Sequence, residues 1–144
     1  MGRIIAVDVG DRRIGVAMSD LLGITAQPVE TYWRKNRAAD IEHFVKLLAE
    51  READVIVCGL PLNMNGSEGS QAADTREFAN ALSAASGITV EFADERLTTA
   101  MARRSLIEGG MRRDKRKNVV DQVAAVHILQ TYMDKTTNIN KGGI

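Results

Sequence analysis

The stretch RIIAVDVGDRRIGVAMSD, residues 3–20, carries two apolar runs joined by the short turn Gly10-Asp11-Arg12, with a carboxylate, Asp8, near the end of the first run. Such a pattern reads as two paired strands. A third run, residues 23–33, follows at once, and its Pro28 suits an edge position because proline has no amide to give to a neighbour. The chain therefore opens as a three-stranded meander, and the rest of the fold must be built around it.

The period then changes. Ile41, Phe44, Val45 and Leu48 fall at i, i+3, i+4 and i+7, so residues 38–51 are expected as an amphipathic helix. DVIVCG, residues 54–59, is too apolar to alternate and reads as a strand covered on both faces, as parallel strands are. Ser70 is placed to cap a helix running to Ser86, where Gly87 stops it. ITVEFADE, residues 88–95, is the next strand, and Thr98 or Thr99 caps a helix ending at Gly109. A basic loop leads to a last helix over 118–133. The polar, glycine-rich residues 135–144 are expected to fray as a flexible tail, leaving one domain over 1–134.

The expected order is βββαβαβαα. Right-handed crossovers make the fourth and fifth strands parallel to the first, while the meander supplies antiparallel neighbours. The fold class is α/β, a mixed five-stranded sheet with helices on both faces. Its first strand is central, and ligands are held where the ends of the parallel strands meet. Asp8 and Glu95 lie near two of those ends.

The last helix adds a third carboxylate. At 100° per residue, Asp121 shares a stripe with Ala124, Ala125, Ile128 and Tyr132. An anion facing a core needs a cation partner, unless it merely sits at the positive end of its helix. Three anions drawn to one edge repel, and a hard divalent cation, Mg²⁺ or Mn²⁺, relieves that repulsion through oxygen ligands. The single cysteine, Cys58, and the two histidines, His43 and His127, show no ligand spacing for softer metals. Cys58 reads as a small residue in a buried strand, and His43 as lying on the polar side of its helix.

The overall charge of zero gives no case for nucleic acid, but its distribution does. From Arg96 to Lys117 there are eight basic side chains (Arg96, Arg103, Arg104, Arg112, Arg113, Lys115, Arg116, Lys117) against Glu108 and Asp114. GGMRRDKRKN has the charge of a phosphate-gripping loop. No apolar run approaches the roughly 20 residues that cross a bilayer, and the opening residues do not resemble a signal peptide, so no membrane partner and a cytoplasmic location are expected.

AVDVGDRRIGVAMSD, VCGLPLNMNGSEGSQA, FADERLTTAMA and KNVVDQVAAVHILQTYM together resemble the bacterial YqgF or RuvX-like family of pre-16S ribosomal RNA nucleases and Holliday-junction resolvase homologues, over residues 3–133. The resemblance implies a ribonuclease H-like fold and a metal-dependent acidic site at Asp8, Glu95 and Asp121, each both ligand and catalytic group. The choice of Glu95 over Asp94 rests on this resemblance. Alternation groups Asp94 with Ile88, Val90 and Phe92, and Glu95 with Thr89, Glu91 and Ala93, which by itself decides nothing. No convincing fourth acid is present.

The loop Gly59 to Ser70 lies between a buried strand and a helix start, and Asn63 and Asn65 are its polar candidates for a substrate rim. Asn65 stands where relatives often carry aspartate. Arg12 and Arg13 beside Asp8, and Arg96 beside Glu95, are placed to hold a scissile phosphate. Arg112, Arg113, Lys115, Arg116 and Lys117 are placed to grip strands farther away.

The leading expectation is a metal-dependent nuclease cutting structured RNA, such as the 5′ end of precursor 16S ribosomal RNA, with pre-ribosomal particles as partners and a monomer or homodimer as the working form. Three alternatives stand beside it. The first is a Holliday-junction resolvase acting on four-way DNA as a symmetric dimer. The second is a nucleic-acid-binding module without chemistry. The third is an actin-like phosphate loop, for which 144 residues supply only one of the two domains such proteins close around a nucleotide.

Overall fold

The structure is a computed structural model that describes residues 3–95 and 113–142, with side chains over 3–95 and 121–136. Five strands and three helices follow one another as β1 (Arg3–Val9), β2 (Arg13–Ser19), β3 (Ala26–Trp33), α1 (Arg37–Glu50), β4 (Ala53–Leu60), α2 (Ser70–Ser86), β5 (Thr89–Asp94) and α3 (Arg113–Gly142). The strands form one sheet in the order β3-β2-β1-β4-β5, with β1 in the middle. β2 runs antiparallel to β1 and β3, while β4 is parallel to β1 and β5. This is the mixed sheet expected from the order of elements, with proline-bearing β3 at one edge.

Alternation along the strands divides the core in two. Ile5, Val7, Ile14, Val16, Ile56 and Cys58 face α1 and α2, where they meet Phe44, Leu48, Phe78 and Leu82. Ala6, Ala17 and Val57 face the other way and meet Ala124, Ala125, Ile128, Leu129 and Met133 of α3. Small residues on both sides of that second layer let the helix lie close to the sheet. Burying one of the large aliphatic side chains contributes about 1.5–3 kcal/mol, so both layers are needed to hold the sheet. No helix among the described residues is long and apolar enough to cross a membrane.

Several boundaries differ from expectation for local reasons. β3 begins at Ala26 rather than at residue 23. Asp20 draws the chain into a turn by accepting from the Ile24 amide at 2.8 Å, and Gly23 takes φ 69°. Ser70 is the first helical residue of α2, whose N-cap is Gly69, so the expected serine cap is not made. Gly87 does end α2, in the left-handed conformation with φ 75°. The helix expected over 98–109 lies outside the described residues. The last helix starts at Arg113 and continues to Gly142, so residues 113–117 are helix rather than loop, and the helix enters the segment expected to fray. Lysine and arginine are good helix formers, and no proline or glycine interrupts residues 113–141.

Candidate functional site

The three carboxylates singled out in the sequence come to one face of the sheet, beside two glycines. Asp8 follows Ala6 by two residues and so faces α3, and its partner on β2 is Gly15. On the other side, the Val7–Cys58 pair places Gly59 beside Asp8, one residue farther along both strands. Asp8 is thus flanked on both sides by residues without a side chain. Asp121 packs over one of them: a Cβ on Gly15 would lie 2.0 Å from its carbonyl oxygen. Glu95 reaches over the other, since a Cβ on Gly59 would meet its Cγ at 3.3 Å and Ile128 Cδ1 at 2.5 Å. Both acids are buried, Glu95 at 5% and Asp121 at 8% exposure.

The choice between Asp94 and Glu95 acquires a structural reason. Val90 and Phe92 pack with the α1 and α2 layer, so Asp94 continues that face, while Ala93 and Glu95 face α3 with Asp8 and Asp121. Burial, and after it the negative charges of Asp8 and Glu95, pushes the Cys58 thiol far above its ordinary value. Cys58 is fully buried, as its strand predicts, and is held protonated.

Asp121 has the cation partner that its place on the helix called for. Arg13 Nε lies 2.6 Å from Asp121 Oδ2, and the same guanidinium sits 5.3 Å from the centre of the Trp33 ring. Arg13, expected to hold phosphate, is therefore engaged with one of the three acids. Among the described residues no three acidic, histidine or cysteine side chains are gathered closely enough to hold an ion together. The donor set nevertheless suits a hard divalent cation, since carboxylates from three separate elements stand on one face of the sheet.

The remaining candidates divide. Asn63 and Glu95 line one cavity of about 360 Å³ together with Gly69 and Gln71, which puts the 59–70 loop at the rim of the acidic site. Asn65 is used within its own turn, accepting from the Ser67 amide at 3.0 Å and the Ser67 hydroxyl at 2.6 Å. Arg12 is exposed in the turn after β1. Arg113, Lys115, Arg116 and Lys117 belong to the first turns of α3. Arg96 and Arg112 lie outside the described residues. His43 is half-buried, stacked on Tyr32 with ring centres 4.2 Å apart, and its Nε2 lies 2.6 Å from Glu30 Oε1.

Sequence reasoning missed a buried network beside this site. Asp40 accepts from the Tyr32 hydroxyl at 2.8 Å and the Lys35 amide at 2.9 Å, and Arg34 lies 3.4 Å away. Burial alone would raise its pKa, but these donors hold the carboxyl below its ordinary value. Tyr32 is pushed up to about 12 by burial and by Asp40. Arg34 also donates to Gly10 O at 2.9 Å, which fixes the turn that follows Asp8. The sequence showed one part of it, the basic residues of WRKNR, and nothing that tied them to Tyr32 and Asp40.

The family described as RuvX, Holliday junction resolvase, matches residues 2–135. A protein of Heliobacterium modesticaldum named "Putative pre-16S rRNA nuclease" is 50% identical over 95% of this chain and 92% of its own. One of Clostridioides difficile with the same name is 50% identical over 95% of this chain and 97% of its own. Among solved structures, RuvC of T. thermophilus in complex with a Holliday junction superposes with a TM-score of 0.60 at 9% identity, covering 95% of this chain and 97% of that one. The Fowlpox virus resolvase with its junction DNA superposes with a TM-score of 0.56 at 12% identity, covering 93% and 98%. At such identities these two establish the shared fold.

Proposed function

The chain belongs to the RuvX family, and from that premise we propose that it is a metal-dependent nuclease of the cytoplasm that processes precursor 16S ribosomal RNA. The observation that carries the proposal is the row Gly15, Asp8 and Gly59, over whose two glycines Asp121 and Glu95 pack. Close packing of α3 explains the two glycines, but it does not call for three carboxylates on that face, two of them buried.

In this reading Asp8 on β1, Glu95 just after β5 and Asp121 on α3 would hold a magnesium or manganese ion. Bound there, the ion supplies the charge that makes a water nucleophilic and steadies the departing oxygen of a phosphodiester. Arg13 compensates the charge of Asp121, and with the exposed Arg12 it would meet a phosphate brought to the acids. Asn63, which lines the same cavity as Glu95, positions the substrate strand. Lys115, Arg116 and Lys117 lie at the start of the helix that carries Asp121, where salt-sensitive contacts to more distant phosphates belong. Residues 1–134 form the nuclease domain.

Purified protein with a precursor 16S RNA fragment and Mn²⁺ is expected to cut it, and Asp8→Asn is expected to fold normally and to lose cutting by at least about a hundredfold, the scale of removing one electrostatic contributor. Undiminished cutting by Asp8→Asn would refute the assignment. The family's description favours one second reading, four-way DNA as substrate. It predicts a symmetric dimer that makes paired nicks in a junction and leaves the RNA intact.

A further inference from the structure

A second feature lies at the same end of the sheet. Trp33 is 50% exposed at the end of the edge strand β3 and is paired in the ladder with Arg13. The Arg13 guanidinium lies over its ring, and the other end of that side chain's contacts is Asp121. The Arg34 amide donates to Arg12 O at 2.8 Å, extending the ladder by one step and bringing Arg12 beside the indole. Trp33, Arg12 and Lys35 line one open cavity of about 470 Å³. Three carboxylates line it as well. Asp40 and Asp74 are taken up by Arg34 and Arg37, at 3.4 Å, 3.7 Å and 4.0 Å, which leaves Asp11 against the exposed Arg12 and Lys35.

We infer that Trp33 is a stacking platform for one unpaired base of the substrate, with Arg12 and Lys35 holding the phosphates on either side of it. The inference rests on the nuclease reading for its ligand and adds the place where a strand next to the cut is gripped. An indole on an edge strand stacks on any base face, regardless of sequence, but only where that base is not already stacked in a duplex. Arg13 rigidifies the ring from one side and touches a candidate ligand with the same group, so the platform sits one side chain away from the acidic site. The subsite therefore selects substrates with a single-stranded segment beside the scissile bond and gives no preference among bases.

The chain has one tryptophan, so the fluorescence of the full-length protein, excited at the red edge where its two tyrosines do not absorb, reports this position alone. Asp8→Asn protein, or the wild type in EDTA, is titrated with a short single-stranded RNA and with the same sequence as a duplex, while fluorescein anisotropy follows binding independently. The single strand is expected to quench Trp33 with the midpoint that anisotropy gives, and the duplex to leave it unchanged. Trp33→Ala is expected to weaken single-strand binding about tenfold, and Trp33→Phe less, since a smaller ring still stacks. Arg12→Gln with Lys35→Gln is expected to lower the log–log salt slope by about 1.4, two phosphates' worth. RNA binding that leaves Trp33 emission unchanged, or Trp33→Ala binding like its parent, overturns the subsite. If the wild type still cuts RNA in that case, the nuclease reading stands without it. A Trp33 response together with wild-type protein that cuts no RNA in Mn²⁺ supports the subsite and overturns the nuclease reading.

Discussion

Asp40 shows how much a single side chain can hold in place next to a site it does not enter. It is buried, and it gathers the Tyr32 hydroxyl, the Lys35 amide and Arg34, which in turn donates to the carbonyl of Gly10. Its folded-state pKa is depressed, so its contribution is complete above the ordinary value of 3.8 and fades as pH falls through the lower folded value. Asp40→Asn is expected to lower stability at pH 7 by about 1–3 kcal/mol, the cost of leaving buried donors unmatched. In urea titrations the gap between wild type and variant should narrow below pH 3.8. A gap unchanged down to pH 3, or none at pH 7, contradicts this role. The network was not legible in the sequence, because Tyr32, Arg34 and Asp40 belong to a strand end, a connection and a helix start that only the fold brings together. Asp121 was legible in part: its place on an apolar stripe called for either a cation or the positive end of its helix, and Arg13 supplies the cation.

At the scale of elements, switching hydrophobic periods revealed the strand order and the three described helices. Some boundaries failed because single contacts decide them, such as the Asp20 turn ahead of β3, and those of α3 because its basic and polar flanks themselves form helix. Alternation in β5 could not choose between Asp94 and Glu95 until it was known which face α3 covers. That helix is also where the sheet is least tolerant. Gly15 admits the backbone of α3 so closely that any Cβ meets the Asp121 carbonyl at 2.0 Å, and neither backbone can yield as a side chain would. Gly15→Ala is therefore expected to shift α3 and to cost about 3 kcal/mol, at the upper end of overpacking. Cutting should fall with it, because the same shift moves Asp121. Gly23→Ala, with nothing within 4 Å of its Cβ, is the control: its left-handed backbone is strained, but the site should keep its activity. Equal loss of cutting in both variants would contradict the placement of α3.

For the whole molecule, the sheet gathers what the chain scatters: Asp8 and Asp121 are more than a hundred residues apart and share a single glycine neighbour, Gly15. Fold and family follow from the strand order and the four motifs, while the identity of the cation beside Asp121 could not be read from sequence because only the fold brings Arg13 to it. The central claim is that Asp8, Glu95 and Asp121 together hold the ion that the chemistry needs. Its most direct test is a crystal of the full chain soaked in Mn²⁺, with the metal located by anomalous scattering. The account predicts manganese about 2.0–2.3 Å from oxygens of Asp8, Glu95 and Asp121, with Arg13 withdrawn from Asp121. Manganese bound elsewhere, or a saturated crystal in which Arg13 still pairs with Asp121 and no metal touches Asp8, would contradict it.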